Sequence, residues 1–79
     1  MVTVVFLGKL ADLAGAPSLQ LAGPLDWAGL KAALPSVLAD ALDDPRNRVA
    51  VNGALLADKA GLQAGAGDEI ALLPPVSGG

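Results

Sequence analysis

With 79 residues the chain is read as one domain, near the size at which a single apolar core barely outweighs the entropy of ordering its backbone. It contains no Cys and no His, which excludes disulfides, thiolate or imidazole metal sites and the commonest nucleophile and base pairs; no metal is expected. The net charge of −3, with five basic residues scattered along the sequence, argues against nucleic acid and equally against an acidic partner.

The core has to rest on apolar packing alone, with Phe6 and Trp27 as the only large aromatics, each expected to anchor a region of it. No apolar run approaches the roughly 20 residues of a membrane span, and Met1 to Leu7 lacks the basic start of a secretory signal. No membrane association is expected, and the location is read as cytoplasmic.

In chain order, Val2 to Leu7 is β-branched and aromatic with almost no polar alternation, which predicts a central strand covered on both faces. Gly8 to Pro17 has turn residues at both ends, and Ser18-Leu19-Gln20-Leu21-Ala22 alternates like a half-exposed strand, so the two strands read as a hairpin with a wide loop. After the Gly23-Pro24 break, Asp26 is suited to cap a helix whose Leu30, Ala33 and Leu34 share one face. Pro35 would clash with the preceding turn, so that helix should end near Leu34 and Ser36 to Leu42 should form a second short piece.

Arg48 to Val51 and Ala54 to Leu56 flank Asn52-Gly53, the dipeptide best suited to the positive φ angles of a type I′ hairpin. Asp58 to Asp68 reads as loop with one short helical turn, and Glu69 to Leu73 as the last strand, stopped by Pro74-Pro75. An order β-β-α-β-β-β with apolar first and last strands fits an α+β, ubiquitin-like β-grasp, in which those two strands lie parallel in mid-sheet against one main helix. Periodicity alone also permits another α+β roll. The domain is expected over 1–73, with a flexible tail over 74–79.

Chemistry inside the domain is poorly served. Ser18, Ser36 and Ser77 have no imidazole to activate them, and Asp43-Asp44 and Asp68-Glu69 are neighbours at turns, better read as solvated surface than as an acid and base pair. Gly61, Gly65 and Gly67 lack the Lys-Ser/Thr of a phosphate loop, and the loop charges Lys9 and Asp12 read first as solvation.

The end of the sequence, Leu73-Pro74-Pro75-Val76-Ser77-Gly78-Gly79, is different. Two adjacent terminal glycines arise by chance in about 0.5% of chains when glycine is about 7% of residues, so chance is a poor account of them. The prolines favour an extended lead-out that holds the tail off the domain, and Gly78-Gly79, without Cβ atoms, can thread a narrow channel. Six residues from Pro74 reach on the order of 20 Å, enough to enter a partner's buried site while the body docks outside. A carboxylate on Gly79 is a poor electrophile until a partner enzyme adenylates it with ATP. A sulfur donor can then attack the activated carbonyl and leave a thiocarboxylate, whose sulfur is soft and nucleophilic.

With its ending Pro74-Pro75-Val76-Ser77-Gly78-Gly79, the chain resembles the small subunit of molybdopterin synthase, the MoaD family of ThiS/MoaD-like sulfur carriers. Supporting matches are Val5-Phe6-Leu7-Gly8, Asp12-Leu13-Ala14-Gly15, Val51-Asn52 and Gly67-Asp68-Glu69, while Leu73 replaces the usual Phe and Ala11 a frequent basic residue. The resemblance implies that Gly79 is adenylated by an E1-like, MoeB-like enzyme and converted to a thiocarboxylate. It implies that Pro74, Pro75, Val76, Ser77 and Gly78 thread into a MoaE-like large subunit, in a heterotetramer whose catalytic residues the large subunit supplies. There the tail would give sulfur to cyclic pyranopterin monophosphate for the molybdenum cofactor. No bound cofactor is implied. Leu73 is the expected apolar contact with the partner. Sister carriers for thiamine, cysteine or tRNA thiolation, and a ubiquitin-like modifier joined to lysine, share the same ending and are the competing readings.

Overall fold

A computed structural model of the chain describes residues 1–75. The elements are β1 (Val2–Phe6), α1 (Lys9–Ala14), β2 (Ser18–Leu21), β3 (Leu25–Asp26), α2 (Trp27–Ala32), α3 (Ser36–Leu42), β4 (Arg48–Val51), β5 (Ala54–Leu55), a 3₁₀ turn (Lys59–Gly61), β6 (Gln63–Ala64) and β7 (Glu69–Leu73). The main sheet has the order β2-β1-β7-β4-β5. β1 and β7 are parallel, with Val4 opposite Ile70, and every other pairing in the sheet is antiparallel. This is the ubiquitin-like β-grasp, and the parallel pairing of first and last strands selects it over other α+β rolls.

Side chains alternate across a strand, so register decides which apolar residues meet the helices. Val2, Val4 and Phe6 from β1, Ile70 and Leu72 from β7 and Val49 from β4 are buried on the inner face. Against them pack Leu10 of α1, Leu30 and Leu34 in and after α2, Leu38 and Leu42 of α3, and Leu62. Burying a leucine of this kind contributes roughly 1.5–3 kcal/mol, and such contacts are what hold a chain without cysteine together. The two helical pieces divide at Pro35 as expected. Asp26 caps α2, its Oδ1 accepting from the Gly29 amide at 2.7 Å. Asn52 (φ 50) and Gly53 (φ 84) make the expected hairpin turn.

Before the tail root, the structure departs from the sequence reading in five places. The wide loop after β1 contains α1, because Leu10 at the start of the segment is drawn into the core and Ala11 and Ala14 pack behind it. β1 is interior in the sheet but covered on one face only: Thr3 and Val5 are half-exposed, since no layer of the described residues lies over that side. Ala33 is exposed, because α2 stops at Ala32 and the next residue no longer follows the buried face. Trp27 is half-buried at the core's edge, with the ammonium groups of Lys31 and Lys59 each 5.5 Å from its ring centre. Within the stretch read as loop, β6 forms a second small sheet with β3, Leu25 opposite Ala64.

Candidate functional site

β7 carries the chain up the middle of the sheet and ends at Leu73, whose partner across the ladder is Arg48 of β4. Leu73, Pro74 and Pro75 are each half-buried, so the two prolines lie against the body and are not held clear of it. Pro74 rests on Gly8, the residue between β1 and α1. A Cβ at Gly8 would stand 3.0 Å from Pro74 Cγ, and the Gly8 φ of +54° with ψ of −133° is a conformation that side-chain-bearing residues rarely adopt. Val76, Ser77, Gly78 and Gly79 lie outside the described residues.

Two open grooves meet at Pro75. One runs past Pro45, Arg46, Arg48, Leu55, Leu73 and Pro74. The other runs between α1 and α3, past Lys9, Leu10, Leu13, Ala41, Asp44, Arg46 and Asn47. The basic residues, scattered in sequence, therefore gather in space: Lys9, Arg46 and Arg48 all face the root of the tail.

The loop that presents Pro45 and Arg46 is held from within. Lys59 Nζ donates to three backbone carbonyls, Leu42 at the end of α3 at 2.7 Å, and Asp44 at 2.9 Å and Asn47 at 3.1 Å in the loop that follows, tying the loop to the helix end. The Asn47 side chain, buried, donates to the Ala41 carbonyl. Asp44 accepts from the Arg46 amide at 2.9 Å and from its guanidinium at 3.1 and 2.8 Å. The Arg46 side-chain and backbone hydrogen bonds hold the Asp44 carboxyl down at about 2.

Of the acidic pairs that the sequence reading set aside as solvated surface, Asp43, Asp44 and Asp68 have side-chain partners. Asp43 bonds Lys31 at 2.8 Å. Asp68 accepts from the Gly65 amide at 2.8 Å and from Asn52 Nδ2 at 3.0 Å, and these bonds, the Gly65 amide first, lower its pKa. Among the described residues no cluster of three or more acidic side chains is arranged to hold a metal ion, and no helix is long and apolar enough to cross a membrane.

Pro45, Arg46, Arg48 and Leu55 were not singled out in the sequence. The only signal of the first three is a Pro-Arg-Asn-Arg run in a chain otherwise poor in basic residues, Leu55 has none, and nothing in the sequence places either beside residues 73–75.

Among curated protein sequences none matches the chain. Solved structures do. SAMP1 from Haloferax volcanii is 29% identical with a TM-score of 0.70, over 99% of this chain and 98% of that one. Small archaeal modifier protein 1 from Methanosarcina acetivorans is 26% identical with a TM-score of 0.74, over 99% and 95%. A chain in the complex of subunits 1 and 2 of the molybdopterin-converting factor from Helicobacter pylori 26695 is 27% identical with a TM-score of 0.68, over 99% and 97%. The model of the ThiS family matches residues 4–79, which takes in all of the chain but its first three residues and includes the tail root and the Gly-Gly ending, and the chain belongs to that family.

Proposed function

We propose that the chain is a sulfur carrier whose Gly79 carboxylate is the reactive group, and that it serves as the small subunit of a molybdopterin synthase. An E1-like enzyme joins that carboxylate to AMP, releasing pyrophosphate. A sulfur donor then displaces AMP and leaves the thiocarboxylate. The tail from Pro74 to Gly79 enters a large subunit that supplies the catalytic residues and takes the sulfur to cyclic pyranopterin monophosphate. The observation that supports this reading is the position of the tail root: the family match runs through Gly78-Gly79 in sequence, and the central strand β7 ends with Leu73, Pro74 and Pro75 at a rim of exposed and half-exposed apolar residues. On the uncovered face of the sheet, half-exposed Val5 and Ala71 and exposed Leu55 stand in one register row beside Leu73, with the buried Ala50 between Ala71 and Leu55, and offer an apolar contact for the partner. The similar Helicobacter pylori chain is found in a complex of subunits 1 and 2 of the molybdopterin-converting factor, which favours this branch.

The likeness to small archaeal modifier protein 1 favours a second reading, in which activated Gly79 is attacked by a lysine amine to give an isopeptide. Mass spectrometry separates the two. After incubation with ATP, the E1-like enzyme of the same organism and a sulfide source, the carrier reading expects an oxygen-to-sulfur mass increase at Gly79. One residue added after Gly79 is expected to abolish it with the fold intact. Full activity of the extended protein, or stable lysine conjugates without any thiocarboxylate, would overturn the carrier reading.

A further inference from the structure

The net charge of −3 conceals a local excess of the opposite sign. Of the five basic residues, Lys31 and Lys59 are committed elsewhere, one bonded to Asp43 and both lying over Trp27. The other three, Lys9, Arg46 and Arg48, line the two grooves that meet at Pro75. Lys9 and Arg48 make no ion pair among the described residues, and the Arg46 side chain, though bonded to Asp44, remains 74% exposed. Between the two arginines and the prolines lie Leu73 and Leu55, the latter 59% exposed.

We propose that Lys9, Arg46 and Arg48 form a cationic collar round the root of the tail, which docks the activating E1-like enzyme at a surface whose apolar centre is rimmed by Asp and Glu. The proposal rests on the carrier reading and names the chemistry of the partner. A body that is acidic elsewhere is repelled by an acidic surface except when it approaches collar first, so the same charges that attract the partner also aim the tail at its entrance. Such complementarity acts mainly on the association rate and on the choice of partner. The sequence reading disfavoured an acidic partner because net charge carries no information about where the charges sit. A nucleic acid fits the collar less well: the grooves contain no aromatic for stacking, and its phosphates would meet the net negative charge of the body.

The test uses carrier-dependent ATP–pyrophosphate exchange by the E1-like enzyme of the same organism, followed from low to high NaCl. Wild-type kcat/KM should fall as salt rises. Arg48→Glu, and more so Lys9→Glu with Arg48→Glu, should lower kcat/KM at low salt by about tenfold or more, with kcat little changed and the salt dependence flattened; Arg48→Lys should retain most of it. Ala28→Glu with Ala32→Glu on exposed positions of α2 adds the same negative charge as Arg48→Glu outside both grooves and should have a far smaller effect. Circular dichroism confirms that each variant is folded. Equal kcat/KM and salt dependence for the folded collar variants overturn the proposal, as does an equal loss in the α2 control. Retention of a bulk tRNA probe by the wild type, lost in Arg48→Glu while exchange is unaffected, overturns it in favour of nucleic acid. Absence of exchange with the wild type at every salt concentration rejects the carrier reading itself, and the collar with it.

Discussion

Asn52 and Asp68, sixteen residues apart, are locked side chain to side chain: Asn52 Nδ2 donates to Asp68 Oδ1 at 3.0 Å, and Asn52 Oδ1 accepts from the Glu69 amide at 2.9 Å. The tip of the β4-β5 hairpin is thereby fastened to the turn that starts β7, and β7 is the strand that ends at the tail. Asp68 extends the clasp, its other carboxylate oxygen accepting from the Gly65 amide.

Asn52 does two things at once, holding a positive φ and bridging two turns, and two variants separate them. Asn52→Gly keeps the backbone freedom and loses the bridge, for an expected cost of about 1 kcal/mol in chemical denaturation. Asn52→Ala adds the strain of a left-handed alanine and should cost roughly 1 kcal/mol more. Equal stability of the two variants would mean that the turn conformation is not under strain.

Lys59→Met removes the ammonium that bonds the carbonyls of Leu42, at the end of α3, and of Asp44 and Asn47 in the loop after it, leaving Asp44 only the Asn47 amide, and takes away one of the two cations over Trp27. A loss of about 2 kcal/mol is expected, which in a domain of this size lowers Tm by about 10 °C. Trp27 is the only tryptophan, so its fluorescence reports the same change locally. An unaltered Tm would show that water replaces the ammonium without cost.

Gly8→Ala strains the junction between β1 and α1 and drives a methyl group against Pro74. The backbone strain alone is worth about 1–3 kcal/mol. The contact with Pro74 adds a specific consequence: the amide resonances of Leu72 and Leu73 should shift more than those of β2, on the opposite side of β1. Shifts of equal size on both sides would argue against Gly8 as the seat of the tail root.

Acid should weaken the fold through Asp44 and Asp68, both of which have depressed pKa values in the folded chain. The sign follows from the direction of the shift: a carboxylate stabilised in the folded state contributes fully above its ordinary value and loses that contribution as protons are taken up. For Asp44 this window runs from 3.8 down to about 2. The urea midpoint should therefore fall between about pH 4 and pH 2, and Asp44→Asn with Asp68→Ala should flatten that fall while lowering stability at neutral pH. An identical acid limb in the double variant would assign acid sensitivity to other carboxylates.

Read as a string of residues, the chain already specifies much of its architecture. Pro35 divides the helical layer, Asn52-Gly53 sets the hairpin, and Asp26 caps α2. These are local effects, in which a ring, a positive φ or a side-chain acceptor acts within a few residues and leaves its mark in the sequence. The Gly-Gly ending and its family resemblance are legible for the same reason.

What only the tertiary structure decided is everything that depends on distant residues meeting. α1 forms in a segment rich in turn residues because Leu10 finds the core, Trp27 lies at the core's edge beneath two ammonium groups, and Lys59 closes a helix seventeen residues before it. The gathering of Lys9 with Arg46 and Arg48 at Pro75 is of this kind. Composition counts charges but carries no geometry, and the pairing of β4 with β7 and the packing of α1 against α3 bring these three to one rim.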